Sequence, residues 1–279
     1  TIAKSTNKIK ESNYIQLAQI RKTAGELFGG AVLTRLDSSE NSVGFSELEK
    51  CEDLISRGPL TPDHSIHTKA FGAMLDSSPK YGLENFREKY QEYFARYSTQ
   101  KLQILDKMPR FAAWQGKGIV YFAGNEKGLR IVSDIVRHTI HAIQIGEMLG
   151  GWQALPKDKL FEVEYWELEQ AKLKSNKKRQ NFEGKVAIVT GAASGIGAAC
   201  VREMSEQGAV VIALDIDPRI DEMFTKPSIL AIKCDVTSDR EIKDSLMKVV
   251  EYFGGVDMLI SNAGIFSASQ NVESICNED

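Results

Sequence analysis

The segment best suited to chemistry is a glycine-punctuated octapeptide, Thr190 to Gly197, reading TGAASGIG. At a strand-to-helix bend, backbone N–H groups and the positive end of a helix dipole together bind the oxygens of a pyrophosphate. A Cβ pointing into such a bend would hold the phosphates away. Gly191 is therefore read as allowing the tight turn, Gly195 the close approach of the phosphates, and Gly197 the packing of helix on sheet. Ala193, Ser194 and Ile196 lie between them on the same bend. A glycine triplet alone is weak evidence; its place between a strand and a helix gives it meaning.

Two kinds of position downstream belong with this bend. Asp215 closes the next strand, 18 residues beyond Gly197, with Ile216 beside it. A carboxylate there accepts hydrogen bonds from the adenosine ribose hydroxyls and repels a 2′-phosphate, which favours NAD over NADP. Asp217 is the alternative ribose partner, but it lies past the strand end. Cys234-Asp235-Val236 follows the third strand and places a second carboxylate near the adenine. Ser261-Asn262-Ala263-Gly264 ends the fourth, with small residues where the backbone passes the cofactor.

The elements that must position these residues are legible nearby. Residues 185–190 (KVAIVT), 209–214 (AVVIAL), 229–233 and 256–261 are short apolar runs of the kind that form buried parallel strands. Residues 198–207 and 240–252 read as helices, the first stopped by Gly208 as a C-terminal glycine. Alternating strands and helices predict a parallel α/β sheet.

Upstream, residues 156–181 read as one helix with a narrow apolar face carrying Phe161, Tyr165, Leu168 and Leu173. Its basic end (Lys172, Lys174, Lys177, Lys178, Arg179) complements the helix dipole. Residues 129–148 predict an amphipathic helix ending at Gly150-Gly151, preceded by one strand-like piece, residues 119–122. Residues 80–105 read as a helix whose stripe, Tyr90, Tyr93, Phe94, Tyr97 and Leu102, is core rather than a nucleic-acid platform. Residues 1–55 read as mainly helical, broken at Gly29-Gly30 and at 37–42. The four histidines form two i,i+3 pairs, His64 with His67 and His138 with His141. Such pairs could ligate zinc if carboxylates joined them. Helix histidines without a metal are the plainer reading, and His64 beside Asp63 is a candidate polar loop site.

Taken together, TGAASGIG (190–197), Asp215, the CDV triplet (234–236) and NAG (262–264) resemble the short-chain dehydrogenase/reductase family. The resemblance implies an NAD-binding Rossmann unit in which Asp235 contacts the adenine and Asn262 stabilises the central sheet. It also implies a catalytic Ser and a Tyr-x-x-x-Lys pair beyond the NAG strand. There the tyrosine is the general acid/base, its pKa lowered by the lysine and the cofactor. These are expected to lie beyond Asp279. Tyr97 and Lys101 match that spacing but precede the unit, and are read as a chance match.

The upstream half adds a second resemblance. GPLTPDH (58–64), the stretch from Lys117 through GGWQAL (150–155) and FEVEYWELEQAKL (161–173) resemble a bifunctional family. In it a class II aldolase/adducin-type domain precedes a short-chain dehydrogenase, as rhamnulose-1-phosphate aldolase/alcohol (lactaldehyde) dehydrogenase. It implies cleavage of a sugar phosphate to dihydroxyacetone phosphate and lactaldehyde, the aldehyde then serving the dehydrogenase. It also implies a zinc or other divalent metal held by an H-x-H pair and a later H-G, polarising the ketose phosphate. No H-x-H is present, and Gly116-Lys117-Gly118 stands where the H-G would be sought. The expectation is an internal fragment with no metal ligands or catalytic residues of its own and inactive alone, its zinc site upstream of Thr1.

The expected fold is thus α/β. Residues 1–155 form a mainly helical aldolase-type remnant with a short strand, 156–182 a connecting helix and linker, and 183–279 the first half, about four parallel strands, of a doubly wound Rossmann sheet. The bulk numbers agree with ordinary globular domains: 279 residues, 42% hydrophobic, 26% charged, net charge −3. That charge gives no sign of a nucleic-acid footprint, which would need a concentrated basic surface. No run approaches the length of a membrane span. Four scattered cysteines without a C-x-x-C pair point to a reducing cytoplasm. A sugar-phosphate or aldehyde substrate and a homo-oligomer complete the expectation. The competing readings are a dehydrogenase with an unrelated helical N-terminal domain, and a non-catalytic NAD-binding protein.

Overall fold

The computed structural model describes residues 2–6, 10–99, 101–168, 170 and 179–265. The chain opens with α1 (Glu11–Phe28), β1 (Leu33–Asp37), α2 (Glu40–Ser46) and α3 (Cys51–Arg57). A 3₁₀ turn (Pro62–His64), α4 (Ser65–Thr68), β2 (Ala73–Leu75), α5 (Pro79–Tyr97), β3 (Phe111–Trp114), β4 (Gly118–Ala123), α6 (Glu126–Met148) and α7 (Lys157–Glu164) follow. The second unit contains β5 (Val186–Thr190), α8 (Gly195–Glu206), β6 (Val210–Asp215), α9 (Ile220–Met223), β7 (Ile229–Lys233), α10 (Asp239–Phe253) and β8 (Met258–Ile260).

The N-terminal unit is a four-stranded sheet in the order β1-β4-β3-β2, antiparallel except for the β2–β3 pair. One face packs under the apolar stripe of α6, where Leu129, Val132, Val136 and Ile140 meet Ile119 and Tyr121. The other packs on α1 and α5, with Leu17, Ile20, Tyr90 and Tyr93 against Leu36, Val120 and Phe122. The aromatic stripe of α5 is core, as expected: Tyr93 meets Phe161 edge-on at 5.4 Å, and Phe161 stacks on Tyr165 at 4.4 Å.

Three local expectations change. The region holds four strands where one was expected. Every β3 and β4 residue is buried, so neither strand shows the polar/apolar alternation of a half-exposed strand. β1, inside the stretch read as helical, carries Arg35 and Asp37, which hide its strand character. Second, α5 stops at Tyr97 rather than continuing to 105, and Leu102 packs on the core from a non-helical segment. Third, the connecting helix breaks after Glu164: the N–H of Tyr165 closes α7 onto Phe161, and Trp166 starts a new turn. Leu173 and Lys172, Lys174, Lys177 and Lys178 lie outside the described residues.

The second unit matches its expected pattern. Its sheet runs β7-β6-β5-β8, all parallel, the front half of a doubly wound sheet. α8 covers one face through Val201 on Val189, Val211 and Ala213. α10 covers the opposite face through Val249 and Phe253 near Ile188, Ile212 and Leu214. Gly208 has φ +93, as a helix-ending glycine requires. The two units share one buried cluster, which runs from Leu33 and Tyr121 to Val249 and Phe253. α10 also lies along β1, the edge strand of the first sheet, where Ser38 Oγ donates to Glu251 Oε1 at 3.1 Å. No helix among the described residues is long and apolar enough to cross a membrane.

Candidate dinucleotide site

β5 delivers the chain to the glycine bend, and α8 leads away from it. Gly191 adopts φ +64, and a Cβ there would lie 2.8 Å from Asn262 Nδ2 and 3.0 Å from Ala263 Cα. At Gly197 a Cβ would lie 2.1 Å from the Gly191 carbonyl oxygen. These two glycines let the bend, the helix and the end of β8 close on each other. Gly195 differs. Its φ is +51 and nothing lies within 4 Å of a Cβ built on it, so it faces open space at the start of α8. The first N–H groups of a helix have no intrahelical acceptor, and there they point outward for a ligand. Ser194, Gly195 and Ile196 are exposed, Ile196 at 74%.

Neighbouring strands seat this bend. Ala192 N–H donates to Leu214 O at 3.1 Å, and Ala193 N–H to Asp215 Oδ2 at 2.8 Å. Asp215 Oδ1 accepts the N–H of Asp217 at 2.9 Å. The end of β6 thus places one carboxylate directly beside the bend. Two bonds leave further lone pairs on its oxygens for outside donors. Asp217, the alternative, is turned to Arg219, whose Nε and Nη2 hold its carboxyl well down, at about 2. Ile216, 60% exposed, projects between them.

On the other side, Asn262 Nδ2 donates to the carbonyls of Thr190 at 3.0 Å and Gly191 at 3.2 Å. Thr190 Oγ1 accepts the N–H groups of Asn262 and Ala263, both at 3.0 Å. Thr190 is a seat that motif reading passed over; its hydroxyl ahead of the first glycine is the signal. Ala263 and Gly264 are exposed beyond it. After β7, the Asp235 carboxyl accepts the N–H and hydroxyl of Thr237, which hold it below the usual carboxylate range. Val236 is 37% exposed and lines an apolar groove of about 440 Å³ with Thr190, Leu214, Leu259 and Ala263. The structure thus gathers the bend, Asp215 and the Asn262–Gly264 segment directly. Asp235 and Val236 stand on the loop that follows the neighbouring strand β7.

The histidines are not gathered. His138 and His141 are exposed on α6, and His64 sits on the 3₁₀ turn with a buried, unpartnered Nδ1. Among the described residues, no group of three or more His, Cys, Asp or Glu side chains is placed to hold a metal ion. Tyr97 packs on Tyr93 and Phe161, in the core of the first unit.

The model for the second domain of class II aldolases matches residues 11–173, and that for short chain dehydrogenases matches residues 185–279. "Uncharacterized oxidoreductase YuxG" of Bacillus subtilis (strain 168) is 28% identical over 253 residues, covering 84% of this chain and 37% of that protein. Human 15-hydroxyprostaglandin dehydrogenase [NAD(+)] is 40% identical over 93 residues, 30% of this chain and 35% of that one. The chain thus spans little more than a third of the length of these relatives. Among solved structures, a 3-ketoacyl-(acyl-carrier-protein) reductase from Brucella melitensis complexed with NADH is 32% identical, with a TM-score of 0.33 over 35% of this chain and 42% of that one. With the class II aldolase model matching more than half of its length, this chain belongs to the family of class II aldolase second domains, joined here to a short chain dehydrogenase domain.

Proposed function

We propose that the second unit binds NAD, in preference to NADP, as the cofactor half of an oxidoreductase. The observation that carries this reading is the bend itself. Gly195 opens onto empty space at a helix N-terminus, while Asp215 is bonded to the same bend through Ala193. The residues present fit the cofactor. The bend from Gly191 to Gly197 would hold the pyrophosphate, Asp215 and Ile216 the adenosine ribose, Asp235 and Val236 the adenine, and Asn262 to Gly264 the strand end beneath. Bound NAD supplies a hydride acceptor for an alcohol carbon. This chain's own residues bind and orient it, and exclude a 2′-phosphate by charge. The catalytic Ser and Tyr-x-x-x-Lys of the family are not among the residues assigned here.

For the whole protein, the reading is a bifunctional sugar-catabolic enzyme. The aldolase unit cleaves rhamnulose-1-phosphate or a similar ketose phosphate, and the dehydrogenase acts on lactaldehyde or a similar small aldehyde. The succession of the two matched families supports it. The described residues of this chain do not supply the donor set for metal-assisted cleavage.

Calorimetric titration with NADH and NADPH tests the cofactor reading. Micromolar NADH binding with much weaker NADPH binding is expected; no binding, or equal affinity, defeats it. Assaying the full-length protein for ketose-phosphate cleavage and for NAD(H)-dependent interconversion of lactaldehyde and its alcohol tests the substrates.

A further inference from the structure

Arg21, on α1 of the N-terminal unit, is 8% exposed, and its guanidinium reaches into the second unit. Nε donates to Val32 O at 2.6 Å; Nη2 donates to Gly184 O at 3.1 Å and to Asp257 Oδ2 at 2.6 Å. The same Asp257 oxygen accepts the N–H of Val186 at 2.7 Å, and the N–H of Asp257 donates to Val186 O at 2.8 Å. The Gly254-Gly255 turn passes close over this cluster. A Cβ at Gly254 would lie 2.9 Å from Arg21 Cδ and 1.9 Å from Thr34 Oγ1.

We propose that Arg21 is a positioning residue for the dinucleotide site, acting through Asp257 and strand β8 on the seat of the glycine bend. Among the described residues β8 pairs with β5 alone, through three residue pairs. So short a ladder has few bonds to hold its register, and contacts at its two ends add to them. At the far end Asn262 clasps Thr190 and Gly191, the carbonyls of the bend. At the near end Asp257 is bonded to Val186 and clamped by a guanidinium from the other unit. Withdrawing Arg21 removes the nearer cation and leaves the partly exposed Asp257 carboxylate to Lys185 Nζ at 4.0 Å, which loosens the start of β8 and the strand that carries Asn262. The N-terminal unit thereby braces a site to which it contributes no ligand.

The inference rests on the nucleotide reading, and its test has a readout that does not. In Arg21→Gln, amide hydrogen exchange at Asn262 and Ala263, both bonded to Thr190 Oγ1, is expected to accelerate with no nucleotide present. NADH affinity is expected to fall about 2- to 30-fold, the range of coupling carried through packed networks. Arg21→Lys, which keeps the charge but not all three acceptors, should fall between. If Arg21→Gln does not fold, Asp257→Asn, which removes the charge at the same shape, takes its place with the same expectations. Unchanged exchange at Asn262 and Ala263, or NADH affinity equal to the parent's in a variant that only melts earlier, overturns the positioning role. Failure of the parent protein to bind NADH defeats the cofactor reading instead, and the exchange measurement then decides whether the brace exists.

Discussion

Asp215 and Ala193 stand 22 residues apart in sequence, yet the carboxylate of one accepts the main-chain N–H of the other at 2.8 Å. This bond fixes the second strand's acid against the glycine bend before any ligand arrives. The acid proposed to read the sugar and the amides proposed to read the phosphates are therefore one assembled surface.

Asp215→Ala should weaken NADH binding on the order of tenfold to hundredfold, the worth of charged hydrogen bonds to ribose hydroxyls. It should also narrow the preference for NADH over NADPH, because a 2′-phosphate no longer meets a carboxylate. Parallel titrations of parent and variant with both nucleotides decide this; an undiminished preference removes Asp215 from the role.

Gly195→Ala and Gly197→Ala should fail in opposite ways. A Cβ at Gly195 meets no atom within 4 Å, so the fold loses only the cost of a left-handed alanine, about 1 kcal/mol. Its methyl group points where phosphate would approach, so NADH binding should be abolished. A Cβ at Gly197 collides with the Gly191 carbonyl at 2.1 Å, which should destabilise the unit by about 1–3 kcal/mol or more. Urea unfolding and NADH titration of both variants separate the two effects.

Asn262→Ala removes the two donors that hold the carbonyls of Thr190 and Gly191. A loss of about 1–3 kcal/mol in stability is expected, since these carbonyls sit partly shielded behind the bend. NADH binding should weaken with it, because the bend loses its seat. Full nucleotide affinity in a destabilised variant would show that the clasp serves the sheet alone.

The N-terminal unit carries a buried acid–base pair whose pH response can be read directly. Burial pushes the Glu164 carboxyl up to about 7 and the Lys69 ammonium down to about 7. Glu164 accepts from Tyr90 Oη at 2.8 Å, while its second oxygen has no hydrogen-bond partner. Lys69 Nζ lies 3.7 Å over the Tyr90 ring and donates to Asp106 O. A carboxyl raised above its unfolded value contributes stability below about pH 4.5, which is lost as pH rises through about 7. An amine depressed to about 7 contributes stability above about pH 10.5, which is lost as pH falls toward 7. Both limbs descend toward neutrality. Glu164→Gln, which mimics the protonated acid, should therefore gain on the order of 2 kcal/mol relative to the parent between pH 5 and pH 8. Denaturant midpoints at those two pH values measure it, and a difference that does not change with pH contradicts it.

The order strand, glycine bend, helix, acid-ended strand and Asn-Ala-Gly was determined by the sequence of residues 185–264 alone. Each feature there is local: apolar runs long enough for a strand, glycines where a bend needs them, small residues after the last strand. The N-terminal sheet was hidden for the opposite reason. β3 and β4 are buried on every residue and so lack alternation, and β1 spends two of its five positions on Arg35 and Asp37. Of the two nearby acids, the one the sequence favoured meets the bend, Asp215 at Ala193, while Asp217 pairs locally with Arg219. Tertiary structure alone set α10 against the edge of β1 and brought Arg21 to Asp257, 236 positions away. Local propensity encodes bends and strands through neighbouring residues. Which side chains meet across such a separation depends on packing of the whole chain, and no short window of sequence contains it.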